Sequence, residues 1–448
     1  MRYLPHTPEE IRAMLARIGV ESVDELFAPI PKAARAKPLA LEPALDEPGL
    51  MAHLDQLAEH NRASRMLSFL GAGMYDHHVP PAVDQLLMRS EFYTAYTPYQ
   101  AEVSQGTLQA IYEFQTMVCE LFGMEVANAS MYDAASATAE AVLMARRVTK
   151  RDKAVLSAGL HPHYLETVRT YLSASDDLAP RMEVVELTDR GTTDRKALAA
   201  AAEGAAAIVL QYPNFLGTVE DLRAAARIAQ EAGALLITAT AEPYGLSLLE
   251  SPGACGADIC VGEGQPLAVP PQFGGPGVGL FACRQKFVRQ MPGRLVGETV
   301  DAAGERGFVL TLSTREQHIR RERATSNICT NHGLIALSFA IRTAMLGRRG
   351  FLAAGEACLS KATYLKQAIA ACPGFELPYA APTFNEFVVR RKDGAAAPLL
   401  AALAAQGILA GVDLGAFRPQ WERDFLVAVT ERHSKADLDR LAAALAEA

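Results

Sequence analysis

The fold is decided by residues 208–238, which read IVLQYPNFLGTVEDLRAAARIAQEAGALLIT. A short apolar run at 208–211 is followed by a helical pattern at 222–232 and by a second apolar run at 235–238. Apolar runs of this length without polar alternation are typical of strands that are covered on both faces. A strand, a helix and a second strand in this order predict a parallel βαβ unit.

The same alternation extends in both directions from this unit. Further apolar strands are predicted at 154–156, 184–187, 259–261 and 278–281, and further helices at 134–148, 164–172 and 195–202. Strand–helix alternation over this length predicts a mostly parallel sheet with helices on both of its faces. The predicted fold class is therefore α/β.

Different patterns flank this region. Upstream, a helix is expected to begin at Thr7 and end at Gly19, before an extended arm at 29–48 and a helix at 104–122. Downstream, the pattern predicts helices at 330–346, 356–371, 397–405 and 435–446 and strands at 386–390, 408–412 and 426–429. We therefore predict an N-terminal arm and interface segment at 1–103, a large α/β domain at 104–329 and a C-terminal α+β domain at 330–448.

The composition disfavours several classes of protein. The chain has 448 residues, of which 50% are hydrophobic and 21% charged, with a formal net charge of −8. This mild acidity argues against a nucleic-acid-binding protein. The longest apolar stretch, 399–412, is too short and too interrupted to span a membrane, and the N-terminus lacks a signal core, so we expect a cytoplasmic protein. Seven cysteines without metal-ligand spacing predict reduced thiols.

Four segments carry a resemblance to a known family. They are FLGAGMYDHHVP at 69–80, FYTAYTPYQAEVSQG at 92–106, VGEGQPL at 261–267 with GGPG at 274–277, and REQHIRRERATSNICT at 315–330. In this order, over nearly the whole chain, they resemble the N-terminal half of the P-protein of the glycine cleavage system. Many bacteria make that half as a separate α subunit.

The resemblance implies a fold-type-I pyridoxal-phosphate architecture and the decarboxylation of glycine. In that reaction glycine loses carbon dioxide, and its aminomethyl group passes to the lipoyl arm of H-protein, with pyridoxal phosphate as the electron sink. The implied partners are an obligate β subunit of P-protein, lipoyl H-protein and glycine. Neither nucleic acid nor a membrane is expected as a partner.

The resemblance also shows which cofactor-binding residues this chain lacks. Gln265 stands at the position of the cofactor lysine, and an amide cannot form an aldimine. Glu242 stands where an acid, usually aspartate, keeps the pyridine nitrogen protonated. Ser136 belongs to a vestigial phosphate cup, although Asp133 or Ser136 as a plain helix cap explains the same residues. Lys286, the nearest lysine, is expected to be a solvated charge. We therefore predict no cofactor binding and no metal in this chain, and pyridoxal phosphate held by the β subunit.

Three residues of the second segment are our candidates for a catalytic role. Tyr96, Tyr99 and Gln100 lie within 93–100, directly before the predicted helix at 104–122. Fold-type-I sites are built at subunit interfaces, so the resemblance implies that these side chains act in trans on the cofactor of the β subunit. Phenol and amide groups donate hydrogen bonds to a substrate carboxylate without adding charge. The alternative interpretation is an aromatic clamp that packs the arm against the core.

The other polar clusters are expected to be structural or peripheral. The fourth segment contains Arg315, Arg320, Arg321 and Arg323 among acidic residues, and this mixture indicates either a solvated helix face or a docking patch for H-protein. His161 and His163 resemble the region where the fold stacks an aromatic ring on the cofactor, and we expect both to be structural.

The function that the resemblance implies is that of an α subunit, inactive when isolated, that works in an αβ or (αβ)2 glycine dehydrogenase (decarboxylating). Two alternatives stay open. One is a non-catalytic scaffold that stabilises the β subunit and recruits H-protein. The other is a self-sufficient pyridoxal-phosphate lyase, which Gln265 disfavours.

Overall fold

The computed structural model describes residues 5–36, 40–173, 181–272 and 274–447. Its helices are α1 Pro8–Ile18, α2 Glu47–His60, α3 Pro81–Leu87, α4 Ser90–Tyr93, α5 Gln105–Phe122, α6 Ala134–Thr149, α7 Pro162–Leu172, α8 Arg195–Ala201, α9 Leu222–Ala232, α10 Gln317–Arg320, α11 Gly333–Ala370, α12 Ala396–Ala405 and α13 Lys435–Ala446. Among the described residues, no helix is both long enough and apolar enough to cross a bilayer.

The strands are mostly short and fall into several sheets. They are β1 Leu67–Ser68, β2 Val126–Ala127, β3 Lys153–Ser157, β4 Met182–Val185, β5 Ala205–Gln211, β6 Leu235–Thr240, β7 Ile259–Glu263, β8 Gly279–Cys283, β9 Leu295–Val300, β10 Arg306–Thr311, β11 Phe375–Glu376, β12 Glu386–Arg391, β13 Ile408–Leu409, β14 Val412–Asp413 and β15 Asp424–Ala428. The strand predicted at 184–187 begins two residues earlier, at Met182.

The chain separates into two compact units, Met1–Ser64 and Arg65–Ala448. In the smaller unit, α1 begins with a capping box between Thr7 and Glu10 and ends at Gly19 in the left-handed conformation, as its sequence predicts. The boundary at Ser64 lies inside the segment predicted at 1–103, and the further divisions at 103 and 329 stay predictions.

The central sheet of the larger unit has the strand order β2-β8-β7-β6-β5-β3-β4. Strands β3 to β7 pair in parallel, whereas β8 pairs antiparallel with both β7 and the edge strand β2. The predicted α/β class with a mostly parallel sheet is confirmed. Because β5, β6 and β7 are neighbours and parallel, the residues that follow them meet at one edge of the sheet.

Both faces of this sheet are buried. On β5, Ile208 and Val209 belong to two different core clusters, and Leu236 and Ile237 alternate in the same way on β6. Successive strand residues point to opposite faces, so each cluster fills one side, with α5 contributing to the first and α6 and α7 to the second. Burying one such aliphatic side chain contributes roughly 1.5–3 kcal/mol. The continuous apolar runs that predicted these strands are explained by this two-sided burial.

The C-terminal lobe has an antiparallel sheet of order β11-β12-β15-β14. Two details predicted for it were wrong. The helices predicted at 330–346 and 356–371 are present, but only Gly347, with φ 58° and ψ 176°, separates them, and no loop spans 347–355. The strand predicted at 408–412 is divided at Gly411, so that β13 pairs with β1 and β14 pairs with β15.

Candidate functional site: a filled cleft and an exposed aromatic segment

The carboxyl ends of β5, β6 and β7 border the cleft in which open α/β sheets bind ligands. Asn214 follows β5, Glu242 follows β6 and Gln265 follows β7. The sequence-based expectation concerned the last two residues, and the structure brings both to this edge of the sheet. The contacts of each side chain decide whether a pyridoxal phosphate fits here.

Gln265 is fully buried, and its amide is engaged within the chain. Its Nε2 donates to the carbonyl oxygens of Val269 at 2.6 Å and Tyr75 at 3.3 Å, while its Oε1 accepts from the backbone N–H of Tyr75 at 3.3 Å. These bonds satisfy both the donor and the acceptor of the amide. The residue that the resemblance places at the cofactor lysine position therefore anchors a neighbouring stretch of backbone.

Glu242 faces a histidine of its own chain. Oε2 of Glu242 lies 2.8 Å from Nε2 of His77, and Oε2 of Glu431 lies 2.6 Å from Nδ1 of the same ring. The His77 ring is 1% exposed and stacks on Tyr244 with ring centroids 4.1 Å apart. Burial by itself lowers the pKa of His77, but the two carboxylates outweigh it and raise that pKa to about 9. With a carboxylate oxygen at each ring nitrogen, the surroundings of His77 favour the imidazolium form, which can donate one hydrogen bond to each acid.

The N-terminus of α6, where the phosphate cup was expected, is capped by carboxylates. Oδ1 of Asp133 accepts from the N–H of Ser136 at 2.7 Å, and Oε2 of Glu263 accepts from the N–H of Ala134 at 3.2 Å. The other oxygen of Glu263 accepts from the N–H groups of Gln265 at 3.0 Å and Val278 at 2.9 Å. Burial raises the pKa of Glu263 to about 7 despite these bonds. Two backbone donors of the helix start that suit an anion are therefore already used.

His161 has a structural role at the wall of the cleft. Its Nε2 donates to the carbonyl oxygen of Ala72 at 2.9 Å, and its Nδ1 accepts from the N–H of His163 at 3.1 Å. Burial lowers the pKa of His161 to about 4, so the ring is neutral. It also stacks on Tyr164, with centroids 4.8 Å apart.

The contacts of Gln265, Glu242 and His161 share one stretch of chain, residues 71–78, which we call the plug segment. Within it, the N–H of Ala72 and the hydroxyl of Tyr75 donate to the two oxygens of the buried Glu386, at 2.7 and 2.8 Å. Gly71 is required here because a Cβ would collide with the Glu386 carboxylate. The cavity left beside Tyr75, Glu242 and Glu386 measures about 10 Å³. That volume is at the lower limit for one water molecule. The residues of this cleft do not fit pyridoxal phosphate.

Sequence reasoning missed most of the plug contacts. His77 and Tyr75 belong to a segment that carried the family resemblance, yet no spacing in the sequence indicates that this segment enters the cleft. Glu386 gave a clearer signal, since an acid at the start of an apolar strand needs a buried partner. Glu431 is more than 350 positions from His77, so their contact arises only in the tertiary structure.

His77, Cys358 and Glu431 also have one potential metal-ligand atom each within 4.8 Å of one another. A metal at this place would need the Nδ1 lone pair of His77. In the imidazolium form that nitrogen carries a proton, which Glu431 accepts at 2.6 Å. The 2.6 Å contact between His77 and Glu431 is accounted for by a hydrogen bond between the ring and the carboxylate.

The segment 93–100 lies on the surface, and its three candidate residues are exposed. Tyr96 is 80% and Tyr99 60% exposed, and Gln100 is also exposed. The hydroxyl of Tyr99 accepts from Nη2 of the buried Arg294 at 3.1 Å, and Nε of Arg294 lies 3.5 Å from Glu316. The buried Arg294 thus fixes the Tyr99 hydroxyl on the side of the core, whereas the Tyr96 phenol projects into solvent. The exposure of Tyr96 and Tyr99 disfavours a packing clamp.

Two cavities flank this segment. One, of about 330 Å³, is lined by apolar groups that include Phe92, Tyr96 and the start of α11. The other, of about 500 Å³, is lined by Tyr99, Gln100 and polar residues that include His318. The open space beside the candidate residues is therefore at this surface and not in the filled cleft.

The arginine cluster is only partly solvated, which corrects one interpretation of it. Arg315 is buried, and its guanidinium donates to the carbonyl oxygens of Met291, Gly293 and Leu312. Arg320, Arg321 and Arg323 are exposed. The expected single helix face is replaced by short turns around α10, because Arg315 is drawn inward by backbone carbonyls. Lys286 is exposed, 3.9 Å from Asp258, as expected for a solvated charge.

Comparison with known proteins identifies the family. A family model described as glycine cleavage system P-protein matches residues 1–445. A protein of Sorangium cellulosum (strain So ce56), named probable glycine dehydrogenase (decarboxylating) subunit 1, is 61% identical over 450 residues, which cover 100% of this chain and 99% of that protein. A crystal structure of a glycine decarboxylase (P-protein) of the glycine cleavage system, in inhibitor-bound form, has a TM-score of 0.90 and 43% identity, covering 100% of both chains.

A more distant structure shows the fold alone. Glutamate decarboxylase of Lactobacillus brevis has a TM-score of 0.69 with 12% identity, covering 95% of this chain and 96% of its own. The fold-type-I architecture that the sequence predicts is thereby confirmed. With a match from residue 1 to residue 445 and relatives well above 40% identity, the chain belongs to the glycine cleavage system P-protein family.

Proposed function

We propose that this chain is the first subunit of a glycine dehydrogenase (decarboxylating) and acts with a second, β subunit. Together they decarboxylate glycine and transfer its aminomethyl group to the lipoyl arm of H-protein. The β subunit holds the pyridoxal phosphate, and this chain binds none. The pairing is obligate, and we expect it in the cytoplasm.

The filled cleft is the observation that carries this division of labour. Gln265, Glu242 and two backbone donors of α6 have partners within the chain, and the space that remains is about 10 Å³. The family's chemistry depends on pyridoxal phosphate as the electron sink. A member whose own cleft is closed therefore needs a second chain to supply the cofactor. The same observation disfavours a self-sufficient lyase.

The contribution of this chain to catalysis is proposed to come from segment 93–100. Tyr96, Tyr99 and Gln100 present uncharged hydrogen-bonding groups at the surface, between two cavities. An exposed phenol gains apolar contact only when a partner covers it, so the two exposed tyrosines beside Gln100 favour an interface at this surface. In that interface the three side chains would face the substrate and the cofactor of the β subunit.

A non-catalytic scaffold is the second candidate, and the filled cleft supports it equally. The exposed Arg320, Arg321 and Arg323 favour it to the extent that they offer an acidic H-protein a docking surface. The two candidates differ in one respect. A scaffold raises the amount or the stability of active β subunit, whereas a catalytic subunit changes its turnover number.

The test is the release of carbon dioxide from carboxyl-labelled glycine, with lipoyl H-protein present, by this chain, by the β subunit and by their mixture. We expect turnover only from the mixture. Turnover by this chain alone would support the lyase. Turnover by the β subunit alone, at the rate of the mixture per folded molecule, would support the scaffold.

A further inference from the structure

The environment of the His77 ring is specific for one kind of chemical group. Two carboxylates, from Glu242 and Glu431, accept from its two nitrogens at 2.8 and 2.6 Å, and Tyr244 covers one face. Both acids are acceptors when ionised, so only a ring with two N–H groups and a positive charge satisfies both. Glu242 keeps two other donors, the Asn385 amide at 3.2 Å and the Tyr244 N–H at 3.0 Å, but the ring is its cationic partner and is almost completely excluded from water, so a neutral replacement would leave its charge uncompensated.

The His77 ring also connects two sheets of the larger unit. Glu242 follows a strand of the α/β sheet, whereas Glu431 follows β15 of the C-terminal lobe. On either side of His77 the plug segment makes similar links: the carbonyl of Asp76 accepts from the Thr430 hydroxyl at 2.9 Å, and the carbonyl of His78 accepts from the Arg342 guanidinium. The plug segment therefore fills the cleft and connects the central sheet with the antiparallel sheet that contains β15.

We propose that the chain carries, under the His77 side chain, a preformed binding pocket for a planar, doubly N–H-donating cation of the imidazolium class. The plug segment supplies this cation from within the chain, as a built-in substitute for a bound aromatic heterocycle. The inference concerns binding and stability, so it stands apart from the proposed part of this chain in glycine cleavage.

One consequence is that removal of the ring creates a vacancy with the shape and charge of imidazole. In His77→Gly the pocket keeps both carboxylates and the Tyr244 face but loses its cation, which leaves buried like charges. Added imidazole enters as the imidazolium and restores both hydrogen bonds. Thiazole has nearly the same size but is neutral at pH 7 and offers no N–H group, so it restores neither.

A local reporter lies beside the pocket. Sγ of Cys358 is buried and lies 3.8 Å from Oε2 of Glu431, the same oxygen that accepts from His77. In the intact protein this thiol resists alkylation. The vacancy in His77→Gly admits iodoacetamide or water to it, and bound imidazole closes the opening again. Cys329 is exposed and provides an internal reference for labelling in the same sample.

The experiment uses the full chain in complex with the β subunit and compares wild type, His77→Gly and, as a matched control, His161→Gly. His161 is also buried but bonds a carbonyl oxygen and not an acid. We expect Cys358 to be alkylated at least tenfold faster in His77→Gly than in wild type, relative to Cys329. Imidazole at millimolar concentration should reverse most of that increase and raise the melting temperature of this variant alone, whereas thiazole should do neither.

Equal effects of imidazole and thiazole would overturn the proposal, as would equal stabilisation of His161→Gly and His77→Gly by imidazole. If His77→Gly does not fold, Glu431→Gln provides a second route, since the ring then keeps only one ionised partner. Cys358 labelling should rise in Glu431→Gln but not in Glu422→Gln, an exposed acid in the same lobe. An unchanged labelling rate in Glu431→Gln would then refute the ion-paired pocket.

Discussion

Nε2 of His77 lies 2.8 Å from Oε2 of Glu242, in the place where the family resemblance puts the acid that faces a cofactor nitrogen. Glu242 is the acid at this position, and its partner is the His77 side chain of the same polypeptide. Burial of an ion pair costs desolvation, and removing one member of such a pair is strongly destabilising. The stability of the fold should therefore depend on the charge of His77 and Glu242 in the cleft.

The first prediction concerns the dependence of stability on pH. The pKa of His77 is raised from its ordinary value of 6.5 to about 9 in the folded chain. A raised pKa stabilises the fold fully below pH 6.5, and this contribution is lost as the pH rises through 9. Its size is on the order of 3 kcal/mol. The difference in melting temperature between wild type and His77→Gln should therefore shrink steadily from pH 6.5 to pH 9.

Taking the difference between these two proteins is necessary because other groups titrate over part of the same range. Burial raises the pKa values of Glu263 to about 7 and of Glu386 to about 8, and both contributions to stability also fall as the pH rises. They are present in wild type and in the variant, so they cancel. A difference that stays constant over this range would show that His77 is not an imidazolium.

The second prediction is that this chain forms no aldimine. Borohydride reduction of the αβ complex with excess pyridoxal phosphate, followed by peptide mapping, should label the β subunit at one lysine and this chain at none in stoichiometric amount. The β subunit is the positive control in the same tube. We expect even Gln265→Lys to stay unlabelled, because the plug segment still fills the space in front of it. One fully modified lysine in this chain would refute the closed cleft.

A third prediction concerns metal. Because Nδ1 of His77 faces a carboxylate oxygen of Glu431 at 2.6 Å, we expect a proton rather than a metal between them, and dialysis against a chelator should leave the melting temperature of the complex unchanged within about 1 °C. Elemental analysis should find no stoichiometric zinc. The same measurement on Cys358→Ser is the control. This variant lacks one potential metal ligand, so any metal that the chelator removes from the wild type would already be lost from it. A chelator-induced loss of stability that Cys358→Ser abolishes would contradict the ion-pair interpretation.

The fold was largely predictable from the sequence, because the central strands are buried on both faces and leave uninterrupted apolar runs. The runs around Ile208 and Ile237 are of this kind, and α9 between them shows the spacing of an amphipathic helix. The errors arose where one glycine decides the path of the chain. At Gly347 one helix follows another after a kink of a single residue, and at Gly411 the chain passes from one sheet to another. A glycine shows in the sequence, but the angle it adopts depends on what packs around it.

The candidate site was predictable only in part. Substitution of the cofactor lysine by Gln265 is visible in the sequence, since it depends on one position. That the plug segment fills the cleft is not visible, since it depends on contacts between residues as distant as His77 and Glu431. Likewise, the charge pattern does not show that Arg315 is buried and Arg320 is exposed, because both belong to one run of mixed charges.

The fourth prediction follows from an apolar stripe on α2 in the N-terminal unit. Leu50, Met51, Leu54 and Leu57 are each 46–55% exposed and follow helical spacing. Unpartnered apolar stripes of this kind mark interaction surfaces. We expect Leu54→Ser combined with Leu57→Ser to weaken association with the β subunit at least tenfold, since each buried leucine contributes roughly 1.5–3 kcal/mol.

Sedimentation of the complex at several concentrations measures this affinity. Glu59→Ser, on the same helix and also exposed, is the matched control and should leave it unchanged. Equal affinity of the double leucine variant and wild type would place the interface with the β subunit elsewhere.

The last prediction tests whether segment 93–100 acts on the substrate in trans. Tyr96→Phe, Tyr99→Phe and Gln100→Ala each remove a hydrogen-bonding group and little bulk, so the αβ complex should still assemble. A hydrogen bond to a charged group contributes roughly 1.5–3 kcal/mol, which is about ten- to over a hundredfold in rate if the bond acts in the transition state. We therefore expect glycine turnover to fall by that factor, measured as carbon dioxide release in the presence of H-protein.

The three variants should differ in stability, and this difference separates catalysis from packing. Tyr99→Phe also deprives the buried Arg294 of its acceptor at 3.1 Å, so it should lower the melting temperature as well as the rate. Tyr96 is 80% exposed, so Tyr96→Phe should lower the rate alone. Tyr171→Phe, a partly exposed tyrosine on α7, is the matched control for loss of a phenol. If turnover by all three variants stays within about threefold of wild type, as a solvated phenol predicts, the segment is not catalytic and the scaffold gains support.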